Sequence, residues 1–344
     1  MPQSRPKISV IVPVFRAEEY IERCVLSVIH QQYQNIELIL VDDACGDSSI
    51  ELAEKAIHSC REKGDFSLII IRHEQHKGPS AARNSGINAA CGSYLFFLDA
   101  DDEITEDCLE KLMERALSTN ADVVMGEHCI VNCGQEKRAE LGFTQESVVG
   151  NEKVLDLYLD RKWYVMAWNK LIKRDVVLGC SLFFPEGYIF EDELWSFKLA
   201  TSAGSLATVR EALYRYHLHE GSITSRHKGL VKIERFLSLM VLYKQYIAER
   251  GLQNHPKIAR LYLEKTIPEI FLANQLKTMD LESFKQYHSL FYYPVRRLLA
   301  TKEIGIKPFL AWKWADPSMG DRNAYYYFRV VSRVLFERHK KAIS

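Results

Sequence analysis

The first 125 residues alternate between short apolar runs and longer amphipathic segments, and this alternation constrains the fold more than any other feature. The apolar runs are Ile8–Val14, Ile36–Val41, Ser67–Ile71, Tyr94–Leu98 and Ala121–Met125. Such runs are typical of parallel strands that are buried on both faces. Helical patterns separate them, over residues 18–32, 48–63, 79–90 and 106–118. We therefore predict an α/β fold, in which a doubly wound, mostly parallel sheet carries helices on both faces.

From residue 226 onward the pattern is helical and the charge changes sign. Residues 226–344 hold 22 Lys and Arg against 10 Asp and Glu, which leaves 23 against 35 in residues 1–225. A chain of 344 residues suits two domains at about 100–200 residues each. We therefore predict a sheet domain over 1–225 and a basic, helical C-terminal extension over 226–344.

The composition indicates a globular protein of a reducing compartment. Hydrophobic residues make up 47% of the chain and charged residues 26%, which excludes a disordered or coiled-coil protein. No run approaches the roughly 18 apolar residues of a membrane-spanning helix. Residues 1–7 lack the apolar stretch of a secretory signal. The eight cysteines contain no CxxC pair, so we expect buried free thiols and a cytoplasmic protein.

Carboxylates follow two of the predicted strands at their carboxyl ends. They are Asp42 and Asp43 after the second strand, and Asp99, Asp101 and Asp102 after the fourth. Ligands of a doubly wound sheet bind at this edge, so both groups should open onto one cleft. Three carboxylates within four residues repel one another unless a cation lies among them, and oxygen ligands suit Mg²⁺ or Mn²⁺. The alternative is that Asp101 and Asp102 only favour the dipole of the next helix.

A Gly-Pro turn follows the third strand. Gly78 and Pro79 open a helix that carries Arg83 one turn later. Backbone N–H groups at a helix start, together with a guanidinium, suit a diphosphate, although Arg83 also suits a surface or packing role. The chain has neither GxGxxG nor GxxxxGK[ST], so neither a dinucleotide cofactor nor a P-loop is supported.

These motifs, in this order, resemble those of the family 2 glycosyltransferases, which have the nucleotide-sugar-binding GT-A fold. The matching segments lie within residues 7–225 and are ISVIVPVF at 8–15, VDDACGDSS at 41–49, GPSAARNSGINAA at 78–90, YLFFLDADD at 94–102, AWNKLIKR at 167–174, FEDELW at 190–195 and YRYHLHEGSIT at 214–224. Two positions depart from the family pattern. Ala44-Cys45-Gly46 replaces the usual Gly-Ser-Thr, and Arg16 replaces a typical Asn, so the nucleotide preference is in question.

The resemblance implies a set of residues that bind the donor nucleotide. Pro13, Val14 and Phe15 would position the nucleotide, and Asp43 would contact its base. Asp99 would help to hold the ribose and diphosphate, alongside the candidate diphosphate contact of the preceding Gly-Pro helix.

The resemblance also implies a metal site and a catalytic base. Asp101 and Asp102 would hold Mn²⁺ or Mg²⁺, and His219 is the candidate for a further ligand, although a lone histidine is more often structural. Asp192, with Glu191 beside it, would take the proton of an acceptor hydroxyl, which is a poor nucleophile without a base. Asp192 also suits a plain acidic position at a helix start.

The implied reaction is an inverting, metal-dependent transfer of a sugar from a nucleoside-diphosphate sugar to a hydroxyl of a glycan or lipid-linked acceptor, in surface or capsular polysaccharide synthesis. A nucleotidyltransferase of nucleotide-sugar synthesis is an alternative, but such an enzyme should carry a Gly-rich loop where this chain has VPVFRAEEY. The other alternative is a non-catalytic binder of nucleotide sugars or nucleic acid. The acidic front half argues against nucleic acid as its ligand.

Two further features leave alternatives open. Basic and aromatic residues interleave around 291–297 and 325–341, which suits either peripheral contact with the inner face of an anionic membrane or a helical bundle packed on the acidic domain. Aromatic and amide side chains in the middle of the chain suit a sugar or acceptor subsite, but core packing is favoured for each of them; they are Trp163, Trp168, Asn169 and Trp195.

Overall fold

The structure is a computed structural model of the chain, and it describes residues 5–60, 66–142, 145–219, 230–253, 255, 257–258, 261–262 and 265–266. The chain divides into two compact units. The first comprises Met1–Gly187 and Glu191–Ser222, and the second comprises Tyr188–Phe190 and Ile223–Ser344. The sequence prediction places the division after residue 225. The basic and aromatic segments around 291–297 and 325–341 lie outside the described residues.

The described part of the first unit alternates strands and helices. Its strands are β1 (Ile8–Val14), β2 (Ile36–Asp42), β3 (Phe66–Arg72), β4 (Tyr94–Phe97), β5 (Glu103–Ile104), β6 (Val123–Asn132), β7 (Gln135–Ala139), β8 (Ser147–Val149), β9 (Lys170–Lys173) and β10 (Ser205–His217). Its helices are α1 (Ile21–Ile29), α2 (Ser49–Ser59), α3 (Pro79–Ala89), α4 (Cys108–Thr119), α5 (Asn151–Leu159), α6 (Arg174–Gly179) and α7 (Glu191–Ala200).

The strands form one sheet in the order β3-β2-β1-β4-β9-β6-β10-β5, with β7 paired to β6 and β8 to β10. The four strands from β3 to β4 are mutually parallel, and β6 pairs in parallel with β10. Strand β9 joins the two groups by antiparallel pairing on both sides. The predicted α/β fold with a doubly wound, mostly parallel central sheet is confirmed.

The two faces of β1 show why helices cover both sides of the sheet. Val10 and Val12 belong to the buried cluster that includes Val25 of α1. Ile11, which points to the opposite face of the strand, lies against α3 at Gly86, where a Cβ would come within 2.3 Å of its Cγ2. A strand covered on both faces has no polar side, which explains its continuous apolar run.

The sequence pattern misplaces some boundaries. It predicts two short strands at 206–209 and 212–217, but β10 is one strand whose register shifts between Val209 and Ala212, so a β-bulge accounts for the polar interruption. It also predicts Asp47 as the N-cap of α2, whereas Ser48 holds that position. Asp47 Oδ1 still accepts a hydrogen bond from the amide of Ser49 at 3.1 Å.

All eight cysteines are free, as expected from their spacing. Their burial differs from the expectation. Cys24, Cys45 and Cys108 are buried, and the three exposed ones lie outside the packed helix faces; they are Cys91, Cys133 and Cys180.

The second unit contains α8 (Leu230–Glu249) among its described residues. Its Met240 and Tyr243 are fully buried, in agreement with the apolar spacing expected for an amphipathic helix. Tyr243 contacts the ring of Tyr262 at 6.3 Å between centroids, and Phe236 contacts Phe190 at 5.7 Å. No helix in the described part of the chain is long and apolar enough to cross a membrane.

Gly92, in the turn before β4, should tolerate no side chain. A Cβ there would lie 2.7 Å from the amide nitrogen of Ser9 and 2.8 Å from the carbonyl oxygen of Lys7, and backbone cannot move aside cheaply. We expect Gly92→Ala to lower the free energy of unfolding by about 1–3 kcal/mol, measured by urea denaturation. Gly179→Ala is the matched control, since a Cβ there meets nothing within 4 Å. Equal stability of the two variants would contradict the tight packing of this turn.

Candidate active site

Asp43 follows β2 and organises the loop between β3 and α3. Its amide donates to the carbonyl oxygen of Val14 at 2.9 Å, which joins the ends of β1 and β2. Its side chain is buried and accepts hydrogen bonds from the amides of Lys77 at 2.9 Å and Gly78 at 2.7 Å. Gly78 has φ of +90°, a conformation that glycine adopts readily. Asp43 therefore holds the turn from which α3 starts.

Two histidines that the sequence pattern does not predict also contact Asp43. His73 Nδ1 lies 2.7 Å from Asp43 Oδ1, and its Nε2 lies 2.9 Å from the hydroxyl of Ser85. His76 Nδ1 lies 2.8 Å from Asp43 Oδ2, and its ring stacks on Phe15 with 3.9 Å between centroids. The structure thus brings together the predicted nucleotide contacts at the end of β1 and at Asp43. Both histidines lie in the loop that precedes Gly78, which is the available signal for them.

Arg83 bridges the carboxylates of two distant segments. Its Nη2 donates to Asp99 Oδ1 at 2.8 Å, and its Nη1 donates to Glu191 Oε1 at 2.7 Å. The same Nη1 lies 3.8 Å from Asp192 Oδ1. Only 5% of the Arg83 surface is exposed. One buried guanidinium therefore serves three carboxylates, one after β4 and two at the start of α7.

This imbalance of charge controls the protonation of Asp192. Burial, reinforced by the charges of Glu191 and Asp99, raises the pKa of Asp192 to about 7, although Arg83 opposes the change. Burial also raises the pKa of Asp99. Asp192 Oδ1 is buried without a hydrogen-bond partner among the described residues. The carboxylate therefore combines an unpaired oxygen with a pKa close to neutrality, which are the properties of a general base.

Aromatic packing fixes the position of α7. Trp195 is fully buried, donates from Nε1 to the carbonyl oxygen of Leu182 at 3.0 Å, and stacks on Phe184 with 4.6 Å between centroids. Asn84 of α3 binds both the amide and the carbonyl oxygen of Phe184. The start of α7 is thus held on the helix that carries Arg83.

The four candidate subsite residues all lie in the core. Their exposed fractions do not exceed 5%, and they are Trp163, Trp168, Asn169 and Trp195. Trp168 stacks on Tyr214 with 4.3 Å between centroids. The core-packing interpretation of these residues is confirmed.

The three aspartates after β4 have different surroundings. Asp102 is fully buried, and it accepts hydrogen bonds from the hydroxyl of Tyr214 at 2.7 Å and the amide of His217 at 2.8 Å. Burial raises its pKa well above the usual range. Both oxygens of Asp102 are thus engaged with β10, which indicates a structural role in place of the metal ligation expected from the motif. Asp101 is more accessible, and its Oδ2 lies 2.7 Å from His219 Nε2.

A divalent cation fits this site only if substrate completes it. No three His, Cys, Asp or Glu side chains converge as a metal site in the described part of the chain. Asp101 and His219 nevertheless place an oxygen and a nitrogen close enough to reach one small cation, and the Nδ1 of His219 is buried without a described partner. Mg²⁺ and Mn²⁺ commonly take one or two protein ligands and complete their coordination with phosphate oxygens and water.

The fold and the site together define a class. An acid after β2, an Asp-x-Asp element after β4 and a buried acid at the start of α7 share one edge of a mostly parallel sheet, as in the GT-A fold. The crystal structure of S. aureus TarS 1-349 in complex with UDP-GlcNAc has this fold, with a TM-score of 0.72 and 19% identity over 97% of this chain and 92% of that chain.

Sequence comparison identifies the family. Residues 9–178 match the family described as Glycosyl transferase family 2. The glycosyltransferase GlyG of Streptococcus pneumoniae is 30% identical over 226 residues, which cover 63% of this chain and 72% of GlyG. The uncharacterized glycosyltransferase YibD of Escherichia coli is 28% identical over 233 residues, and the match spans 66% of each chain. The chain belongs to family 2 of the glycosyltransferases and is a glycosyltransferase enzyme.

Proposed function

We propose that this enzyme transfers a sugar from a nucleoside-diphosphate sugar to a hydroxyl of a glycan or lipid-linked acceptor, with inversion at the anomeric carbon, in the synthesis of a bacterial surface or capsular polysaccharide. The observation that carries the proposal is the Asp192 carboxylate, which has a buried, unpaired oxygen next to the bridge formed by Arg83. The binding of UDP-GlcNAc by TarS, which shares the fold, supports a nucleotide sugar as donor.

The proposed reaction is a single displacement at the anomeric carbon. As the acceptor oxygen forms its bond to that carbon, its proton passes to the Asp192 carboxylate and the bond to the diphosphate oxygen breaks. No second carboxylate is then needed as a nucleophile. Glu191, whose carboxylate is paired with Arg83, is a positioning residue in this scheme.

The donor would lie along the ends of β1, β2 and β4. Phe15 and Asp43 would contact the nucleotide, while Arg83 and Asp99 would lie next to the diphosphate. Asp101 and His219 would hold Mn²⁺ or Mg²⁺, which neutralises negative charge on the leaving diphosphate. The predicted contact of residues 226–344 with a membrane depends largely on residues outside the described part and stays a prediction.

A thermal-shift panel tests donor binding. We expect one of UDP, GDP, CDP, TDP or ADP, in the presence of Mn²⁺, to raise the melting temperature by several degrees, because a ligand at 100 times its Kd stabilises the folded state by about 2.7 kcal/mol. Asp101→Ala should remove the part of the shift that depends on Mn²⁺. Asp175→Ala, at an exposed position of α6, is the control and should retain it. Absence of any shift with all five nucleotides would contradict the proposed donor site.

A further inference from the structure

Lys170 is a lysine with no exposed surface, although it lies in the middle of the sheet and not at its rim. Its Nζ donates a hydrogen bond to the carbonyl oxygen of Met166 and lies 4.0 Å from the centre of the Tyr164 ring. Burial of an ammonium group is costly unless negative charge compensates it. Neither of these two neighbours carries such a charge, so a carboxylate is expected close by.

The register of the sheet brings Lys170 to the catalytic edge. Strand β9 runs antiparallel to β4, and Leu171 pairs with Phe96. Lys170 therefore lies beside the carboxyl end of β4, two residues before Asp99. The carboxylate cluster around Arg83 lies at this same edge of the sheet.

Contacts of α7 bring Asp192 to the same place. The hydroxyl of Ser196 donates to the carbonyl oxygen of Val165 at 2.5 Å, and Val165 directly precedes the residue that binds Lys170. Ser196 lies four residues after Asp192, and therefore on the same face of α7. Asp192 and Lys170 lie within electrostatic range of each other.

The charges around Asp192 show what Lys170 contributes. The described groups that act on Asp192 are Arg83, Glu191, Asp99 and Lys170. One guanidinium cannot neutralise three carboxylates, and Lys170 is the second cation of this set. On the other side of Lys170, burial and the lysine charge lower the pKa of His128 to about 4, so this imidazole is neutral at neutral pH.

We propose that Lys170 is a positioning residue for proton transfer, a buried cation that keeps the Asp192 carboxylate ionised so that it can accept the proton of the acceptor hydroxyl. This inference rests on the proposed function, because it takes Asp192 as the base. Burial lowers the pKa of Lys170 and raises that of Asp192, and each charge opposes this change in the other. Removal of the lysine charge therefore makes Asp192 harder to ionise.

The pH dependence of turnover tests this role. With a wild-type rising limb near pH 7, we expect Lys170→Met to move the limb upward by about one pH unit, the lower end of the effect of a neighbouring opposite charge. Turnover should fall about tenfold at pH 6 and recover above pH 9. Lys173→Met is the matched control, because Lys173 belongs to the same strand but pairs with Asp122, and its limb should stay in place.

Lys170→Gln serves as a second variant if the methionine variant does not fold, since glutamine is neutral but retains an N–H donor for Met166. An upward shift of the limb in either variant supports the proposal. An equal loss of turnover at every pH, with the limb unmoved, would mean that Lys170 only holds its loop in place and would overturn the proposal.

A second readout needs no turnover. The difference in unfolding free energy between wild type and Asp192→Asn should decrease as pH rises above about 4 and level off near 7, because a carboxylate with a raised folded-state pKa loses its stabilising contribution as pH rises through that value. In the Lys170→Met background, the levelling should occur about one unit higher. No change in that pH would overturn the role of Lys170. A wild-type enzyme inactive with every donor would refute the proposed function alone.

Discussion

Asp192→Asn should abolish most turnover while leaving the donor bound. A general base contributes about 10²–10⁴-fold to the rate, so we expect kcat to fall within that range, measured as release of nucleoside diphosphate in the presence of acceptor. The donor Kd should change little, because the amide keeps the size of the carboxylate. At pH 8 the variant should also melt at a higher temperature than the wild type, since burial penalises the ionised form of Asp192.

Asp175→Asn is the control, because it makes the same chemical change at an exposed position in the first turn of α6. Its turnover should match that of the wild type. Turnover of Asp192→Asn within a few fold of wild type would favour a non-catalytic role for this carboxylate. A loss of donor binding in this variant would show that Asp192 acts in binding and not in proton transfer.

Arg83→Met should cause the largest loss of stability. The substitution leaves Asp99, Glu191 and Asp192 without their shared cation, and breaking a buried ion pair costs about 3–5 kcal/mol. The loss should be greater at pH 8 than at pH 5. Unpaired buried carboxylates have folded-state pKa values above their unfolded ones, so their stabilising contribution disappears as pH rises. Urea denaturation at both pH values measures this difference.

Arg115→Met is the matched control for Arg83→Met. Arg115 Nη1 lies 3.0 Å from Glu146 Oε2, but the Glu146 side chain is 73% exposed. Such a surface pair contributes about 0–1 kcal/mol. Similar losses of stability in the two arginine variants, or a loss in Arg83→Met that is independent of pH, would contradict the buried three-carboxylate bridge.

The sequence predicts the sheet better than it predicts the connections within the site. The run Ile8–Val14 coincides with β1 because a strand covered by helices on both faces needs apolar residues throughout. Strand β9 escapes prediction, since Lys170 and Lys173 at its ends give it the appearance of a basic surface segment. The burial of Lys170 is a consequence of tertiary packing that neither propensity nor periodicity encodes.

Motif order places the functional carboxylates at one edge of the sheet, because the carboxyl ends of parallel strands meet there. The partners of each side chain do not follow from that order. Arg83 and Glu191 are 108 residues apart, and their contact depends on how α7 packs against α3. Asp102 and Asp101 are adjacent, yet one is bound by β10 and the other faces His219, a difference that the Asp-x-Asp motif conceals.

The most direct test of the central claim is the release of nucleoside diphosphate by the wild-type enzyme, measured with Mn²⁺ across a panel of UDP-, GDP-, CDP- and TDP-sugars. Even without the acceptor, we predict slow release from one nucleotide class, because water can take the place of the acceptor hydroxyl at Asp192. The rate should rise with pH through about 7 as Asp192 ionises. Release from none of the donors, or a rate that does not change with pH across this range, would contradict the assignment of Asp192 as the base of a nucleotide-sugar transferase.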